Sequence, residues 1–156
     1  MARFSMEVDL KELEKMIDKT TEQINKGIEQ GLKVVASEIK QMEQRQIENT
    51  TGGGSYVPTG GLKRSVTIMP IEWSPYGASI TVVPTASHSV WVERGTGKYA
   101  SDGNGRQTPW VYSPDGGATF IFTHGIFPHY FVSDTYEFYK DKAPIIVKEQ
   151  IYKCLR

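Results

Sequence analysis

The chain has 156 residues, and eighteen basic side chains balance eighteen acidic ones for a formal net charge of +0, with 38% hydrophobic and 23% charged residues. A chain of this length forms one core that buries roughly two thirds of its unfolded surface, so a single domain over residues 1–156 is expected. The zero balance argues against a dedicated nucleic-acid binder, whose affinity comes from clustered Lys and Arg displacing counterions, but is compatible with a protein past which DNA slides.

The opening residues MARFSMEVDL lack the apolar stretch of a signal peptide, and no run approaches the roughly eighteen apolar residues of a membrane span. Synthesis in the cytosol and no membrane partner are expected. One cysteine, Cys154, cannot form an internal disulfide, which suits a reducing compartment. Asn49-Thr50-Thr51 matches a glycosylation acceptor but, without a secretory signal, reads as a helix end.

Apolar residues at Leu10, Leu13, Ile17, Ile24, Ile28, Val35, Ile39 and Met42 are mostly spaced by threes, fours and sevens, one helical stripe. They predict a helical arm over 8–49, about 60 Å long at about 1.5 Å per residue and longer than one small core can cover. Thr20-Thr21 lowers helix propensity and leaves a bend open, while Gly27 and Gly31 permit close approach of another backbone. The C-terminal half is expected on the chain's own sheet. The N-terminal half, with Ile17 and Ile24, is expected on a neighbouring copy.

Residues 50–61 hold five glycines and a proline and read as a loop. A Walker loop requires Gly-Lys followed by Ser or Thr, whereas Gly61 precedes Leu62 and Lys63, so nucleotide binding is not expected. Strand-like runs follow at 63–71, 78–84, 89–94, 110–112 and 118–123, and Leu62 and Val66 are expected in the core. Pro114-Asp115-Gly116-Gly117 supplies a reversal that lets Trp110 and Tyr112 pair across to Phe120 and Phe122. Ser133 or Asp134 looks like an N-cap for a helix over 133–155, which Pro144 kinks or restarts. The order predicts an α+β fold: a long N-terminal amphipathic helix, an antiparallel or mixed sheet of four to five strands within 62–123 interrupted by a loop at 95–107, and a C-terminal helix packed on the sheet.

Chemistry is sparse. His124 and His129 are five apart, away from the i, i+4 spacing of a helical zinc pair, with His88 and Glu93 some thirty residues earlier and no cysteine near. Asp102-Gly103-Asn104-Gly105 begins like a calcium loop, but Arg106 stands at a ligand position. Glu93, in an apolar run, reads as an acid that ties down the following Gly-Thr turn rather than a general base. A small metal-dependent hydrolase or nuclease using His88, Glu93, His124 and His129 is the alternative of another class. Neither catalytic residues, a metal nor a cofactor is expected. Gly95, Thr96 and Gly97 are expected to shape a turn. Arg94, Lys98 and Arg106 gather around the 95–107 loop, either as solvated charge or as contacts to a partner or to DNA.

Four landmarks in order carry a resemblance. Pro58-Thr59-Gly60-Gly61-Leu62-Lys63-Arg64-Ser65 is similar to a Pro-x-Asp-Thr-Gly-x-Leu-x-x-Ser segment, and Val92-Glu93-Arg94-Gly95-Thr96 to a Val-Glu-Phe-Gly-Thr segment. Arg106-x-Thr108-Pro109-Trp110-Val111-Tyr112 with Thr123-x-Gly125 is the third, and Pro128-His129-Tyr130-Phe131 the fourth. Together they resemble the neck or tail-completion proteins of long-tailed bacteriophages, the gene-product-ten-like tail components, across nearly the whole chain. Pro58 in place of Asp, Arg94 in place of an aromatic, and extra residues at 52–56 depart from the pattern.

The resemblance implies a non-enzymatic virion protein forming a homo-oligomeric ring, commonly six-fold, at the head–tail junction. Its partners would be further copies of itself, the head-closure or connector protein, and the tail terminator or tail tube, with DNA passing through the lumen unread. A tail terminator capping the tube is the alternative within the class. Trp110, Tyr112, Phe120 and Phe122, with Ile17 and Ile24, are then candidate inter-subunit contacts, because aromatic side chains are enriched at interface cores. Arg94, Lys98 and Arg106 are candidates for the lumen or a partner.

Overall fold

A computed structural model describes residues 10–49, 60–113 and 115–156. The loop expected at 50–61 lies almost wholly outside them, as do Pro58, Thr59 and the extra residues at 52–56.

The N-terminal stripe folds as one helix, α1 (Leu10–Asn49), without a break at Thr20-Thr21. Thr20 Oγ1 donates to the Met16 carbonyl at 2.8 Å, so its hydroxyl is satisfied inside the helix. A short helix, α2 (Gly61–Ser65), then occupies the start of what reads as a strand, because Gly60 takes the left-handed conformation (φ 74°) that turns the chain into it. Next come β1 (Val66–Ile68), β2 (Glu72–Ser74), β3 (Gly77–Ser79) and β4 (Val82–Pro84). Ladder β1–β4 pairs Thr67 with Val83, and ladder β2–β3 pairs Trp73 with Ala78, both antiparallel. The Met69 amide donates to the Thr81 carbonyl between the two ladders, so residues 66–84 form one long ribbon whose tip is β2–β3.

Ser89–Arg94, whose Val-Trp-Val run reads as a strand, is instead a six-residue helix, α3. Ser89 and Val92 are both buried, a spacing of three that a strand cannot put on one face. A 3-10 turn (Gly97–Tyr99) precedes ladder β5 (Trp110–Tyr112) with β6 (Ile121–Thr123), and α4 (Phe131–Tyr139) and α5 (Lys142–Leu155) end the chain. Helix α4 begins before the expected cap, with Tyr130 rather than Ser133 or Asp134 at the N-cap position. Pro144 sits in the first turn of α5, where a missing N–H costs nothing.

The class is α+β. Its six described strands pair two by two in three antiparallel ladders rather than in one sheet. Ile47 of α1, Leu62 of α2, Val66 of β1, Val92 of α3 and Phe131 of α4 form the buried core, each at most 2% exposed. The C-terminal helix packs along α1 rather than on strands, antiparallel to it. A Cβ on Gly27 would lie 2.5 Å from the Ile151 Cα, and one on Gly31 2.7 Å from the Val147 Cα, so both glycines sit where two helix backbones nearly touch.

Candidate functional site

The segment 92–101 is stitched to 123–133. The Thr96 amide donates to the Ile126 carbonyl at 2.9 Å, the Ile126 amide returns to Thr96 Oγ1 at 3.0 Å, and the Lys98 amide donates to the His124 carbonyl at 3.1 Å. Gly95 and Gly97 have φ of 74° and 62°, and a Cβ on Gly97 would collide with the His124 carbonyl. The Gly95-Thr96-Gly97 turn thus lies flat against 124–128, with the Trp110 ring resting on Gly97.

Glu93 is where this stitching becomes electrostatic. Helix α4 has no side-chain cap of its own at Tyr130. The Glu93 carboxylate instead accepts the Val132 amide at 2.9 Å, the Ser133 amide at 3.0 Å and the Ser133 hydroxyl at 2.6 Å. It therefore takes up orphan donors at a helix N-terminus, where negative charge is also favoured by the dipole. The acid holds backbone amides as expected, but those of α4 about forty residues on, not those of the adjacent Gly-Thr turn.

A second acid comes from α1. Glu43 is 2% exposed, its Oε2 has no hydrogen-bond partner among the described residues, and burial first, then the Glu93 charge, pushes its pKa up to about 7. It is not among the residues singled out from the sequence. The signal was its position: Glu43 lies four residues from both Ile39 and Ile47, in the middle of the buried face.

The four groups of the hydrolase alternative do not come together. No group of three or more His, Cys, Asp or Glu placed to hold a metal is found among the described residues. Glu93 is engaged as a helix cap, and the His124 ring stands edge-on to Phe122 with centroids 5.5 Å apart. His129 is half-buried, which lowers its pKa.

The β5–β6 register separates the aromatic candidates. Trp110 faces Thr123, Tyr112 faces Ile121, and Val111 faces Phe122. Trp110 and Tyr112 consequently share the half-buried face, whereas Phe122 (64% exposed) and Val111 point the other way, and Phe120 stands in water in the connecting loop. The expected pairing of Trp110 and Tyr112 with Phe120 and Phe122 is corrected by this register. The connection from 113 to 120 is also longer than a tight reversal. The Asp115 carboxylate accepts the Thr119 amide and the Ser113 hydroxyl, both at 2.8 Å, and hydrogen bonding from the Thr119 side chain first, then from these two groups, holds its pKa below the usual range. Pro114 lies outside the described residues.

On α1, Ile17 is exposed beside Met16, whereas Ile24 is half-buried on the face that carries Gly27 and Gly31 towards α5. Arg94, Lys98 and Arg106 are all exposed. The Arg106 guanidinium lies 5.6 Å from the centre of the Trp110 ring, and the Lys98 ammonium 4.9 Å from that of Tyr99.

These elements leave apolar and aromatic side chains uncovered on a helix, a ribbon tip and a ladder, while Glu93 is engaged in holding the start of α4. A family model described as "Bacteriophage HK97-gp10, putative tail-component" matches residues 10–95, more than half of the chain. The chain belongs to this HK97-gp10-like family and is a structural protein of a bacteriophage tail. No curated protein and no solved structure gives a significant match.

Proposed function

We propose that this tail protein acts at the neck. Identical copies form a closed homo-oligomeric ring, a hexamer by this reading, at the head–tail junction, and the DNA passes through the centre without being read. The observation that supports this reading is the apolar surface left uncovered on separate elements: Met16 and Ile17 on α1, Trp73 and Tyr76 on the ribbon tip, Trp91 on α3, and Phe120 and Phe122 by the β5–β6 ladder. Aromatic and Met side chains are enriched at interface cores relative to the rest of a protein's surface. A ring buries two different patches per copy, because each subunit gives one surface and receives another around the rotation axis. Remaining patches are available to the head-closure or connector protein on one side and to the tail terminator or tube on the other. The formal charge of +0 suits a lumen that lets DNA slide.

Light scattering on the purified chain, with electron microscopy of purified virions in which the protein is labelled, tests the proposal. A ring in solution and label at the neck are expected. Absence of the protein from purified particles overturns it.

A further inference from the structure

The ring reading leaves open which surfaces meet. The ribbon tip is one unusual feature. Strands β2 and β3 are exposed on both faces apart from half-buried Ala78, and Tyr76, in the turn, is 99% exposed. An isolated two-stranded hairpin is only marginally stable in water. This one also holds Trp73, half exposed, in solvent, although a nearby turn is well made: the Ser74 hydroxyl donates to the Gly77 carbonyl at 3.2 Å and accepts the Tyr76 amide at 3.3 Å. Between Met69 and Ile80 the only charged side chain is Glu72.

The second feature is concave. A cleft of about 530 Å³ opens between α3, the Gly95-Thr96-Gly97 turn, the 102–106 loop and the start of β5. Trp91 and Trp110 are among its walls, Arg94 and Arg106 bring two cations, and Asp102 and Asn104 lie along the loop side. Its volume falls within the roughly 300–1,000 Å³ of sites that bury a ligand. None of its lining residues belongs to the tip, so a copy does not fill its own cleft.

We propose that the ribbon tip of one copy docks in the cleft of the next, with Trp73 and Tyr76 entering between Trp91 and Trp110 and Glu72 meeting Arg94 and Arg106. The proposal rests on the ring reading and names its head-to-tail contact. Aromatic tip and aromatic wall suit the dry centre of an interface, and the single acid of the tip meets the net positive cleft. DNA is the poorer occupant, since its phosphates would face Asp102 and a surface walled by indoles rather than an open run of cations.

The test is directional crosslinking in the full-length chain, with the native thiol removed by Cys154→Ser. Tyr76→Cys and Asn104→Cys combined in one chain should give, on mild oxidation, a ladder of covalent oligomers ending at the ring size, whereas each alone gives no ladder. In parallel, Trp73→Ala with Tyr76→Ala should raise the concentration for half-assembly at least tenfold while leaving the monomer's melting temperature unchanged. Rings that assemble normally in the alanine variant, or without a ladder in the cysteine variant, overturn this contact and leave the ring standing. So does exclusive crosslinking of Tyr76→Cys to another tail protein in virions. A chain that stays monomeric at every concentration tested and is absent from virions overturns both.

Discussion

Glu43 and Glu93 set a stability profile that runs opposite to that of an ordinary salt-bridged acid. The folded chain holds the Glu43 proton up to about pH 7, whereas the unfolded chain releases it near its ordinary value of 4.5. Between those two values the unfolded state has the lower proton count, so stability falls as pH rises through the window and levels off above it. At about 1.36 kcal/mol per pKa unit the loss is on the order of 3 kcal/mol. His129 works in the other direction: burial lowers its folded pKa, so acidification below its ordinary 6.5 favours the unfolded state. Comparing Glu43→Gln with the native chain separates the two. By chemical denaturation the variant should be more stable by about 2–3 kcal/mol at pH 8 and close to equal at pH 4.5; parallel profiles would show that Glu43 is ionised throughout. Glu93→Ala should act differently. It strips three hydrogen bonds from the start of α4 and costs about 1–3 kcal/mol. It also removes the charge facing Glu43, so its profile should lose part of the decline between pH 4.5 and 7. The two substitutions should therefore be non-additive in a double-mutant cycle.

At the level of elements the closest packing is between α1 and α5, and it turns a normally favourable substitution into a harmful one. Gly to Ala in a helix interior gains about 1 kcal/mol of propensity. At Gly27 and Gly31 the added methyl would instead meet backbone atoms of Ile151 and Val147, which cannot rotate away. Gly27→Ala and Gly31→Ala should each lower stability by about 1–3 kcal/mol through overpacking, measured by urea unfolding; a gain would show that α5 sits farther out. This contact was legible in the sequence because glycines four apart on a helical stripe have few other uses. The stripe itself and the core positions Leu62 and Val66 were legible for the same reason, since periodicity reports which face is buried. Helix α3 was not. Val90, Trp91 and Val92 carry strand propensity, but Val92 enters the core, and the Val92 and Glu93 carbonyls accept the His129 and Tyr130 amides across a gap no local pattern reveals. The partner of Glu93 was hidden in the same way, because a cap supplied from another helix has no fixed spacing. Alternation in β5 and β6 placed their aromatics on faces only once the loop from 113 to 120 had fixed which residues stand opposite.

Across the whole molecule the decisive asymmetry is that α1 outruns everything that covers it among the described residues. With Gly27 opposite Ile151 and Gly31 opposite Val147, the end of α5 falls near residue 23. The first dozen residues of α1 therefore project about 18 Å past it at about 1.5 Å per residue. All side chains from Glu14 to Glu22 are exposed, Met16 at 66% and Ile17 at 56% among them, and a shallow hollow of about 280 Å³ lies over Met16, Ile17, Thr20 and Thr21. An isolated helical segment of this length is marginal in water. Its continuity with the packed half supports it, but none of the described residues buries its apolar pair, which a further copy would cover. Met16→Asp with Ile17→Asp separates folding from assembly, because exposed side chains can change to acids at a cost within about 0.5 kcal/mol to the monomer. Within a ring the same change places charge in an apolar contact. The expected result is a native melting temperature at a dilution where the chain is monomeric, together with at least a tenfold loss of assembly. Equal assembly in the two chains would place the projecting helix outside the subunit contacts and assign it to a different component of the tail.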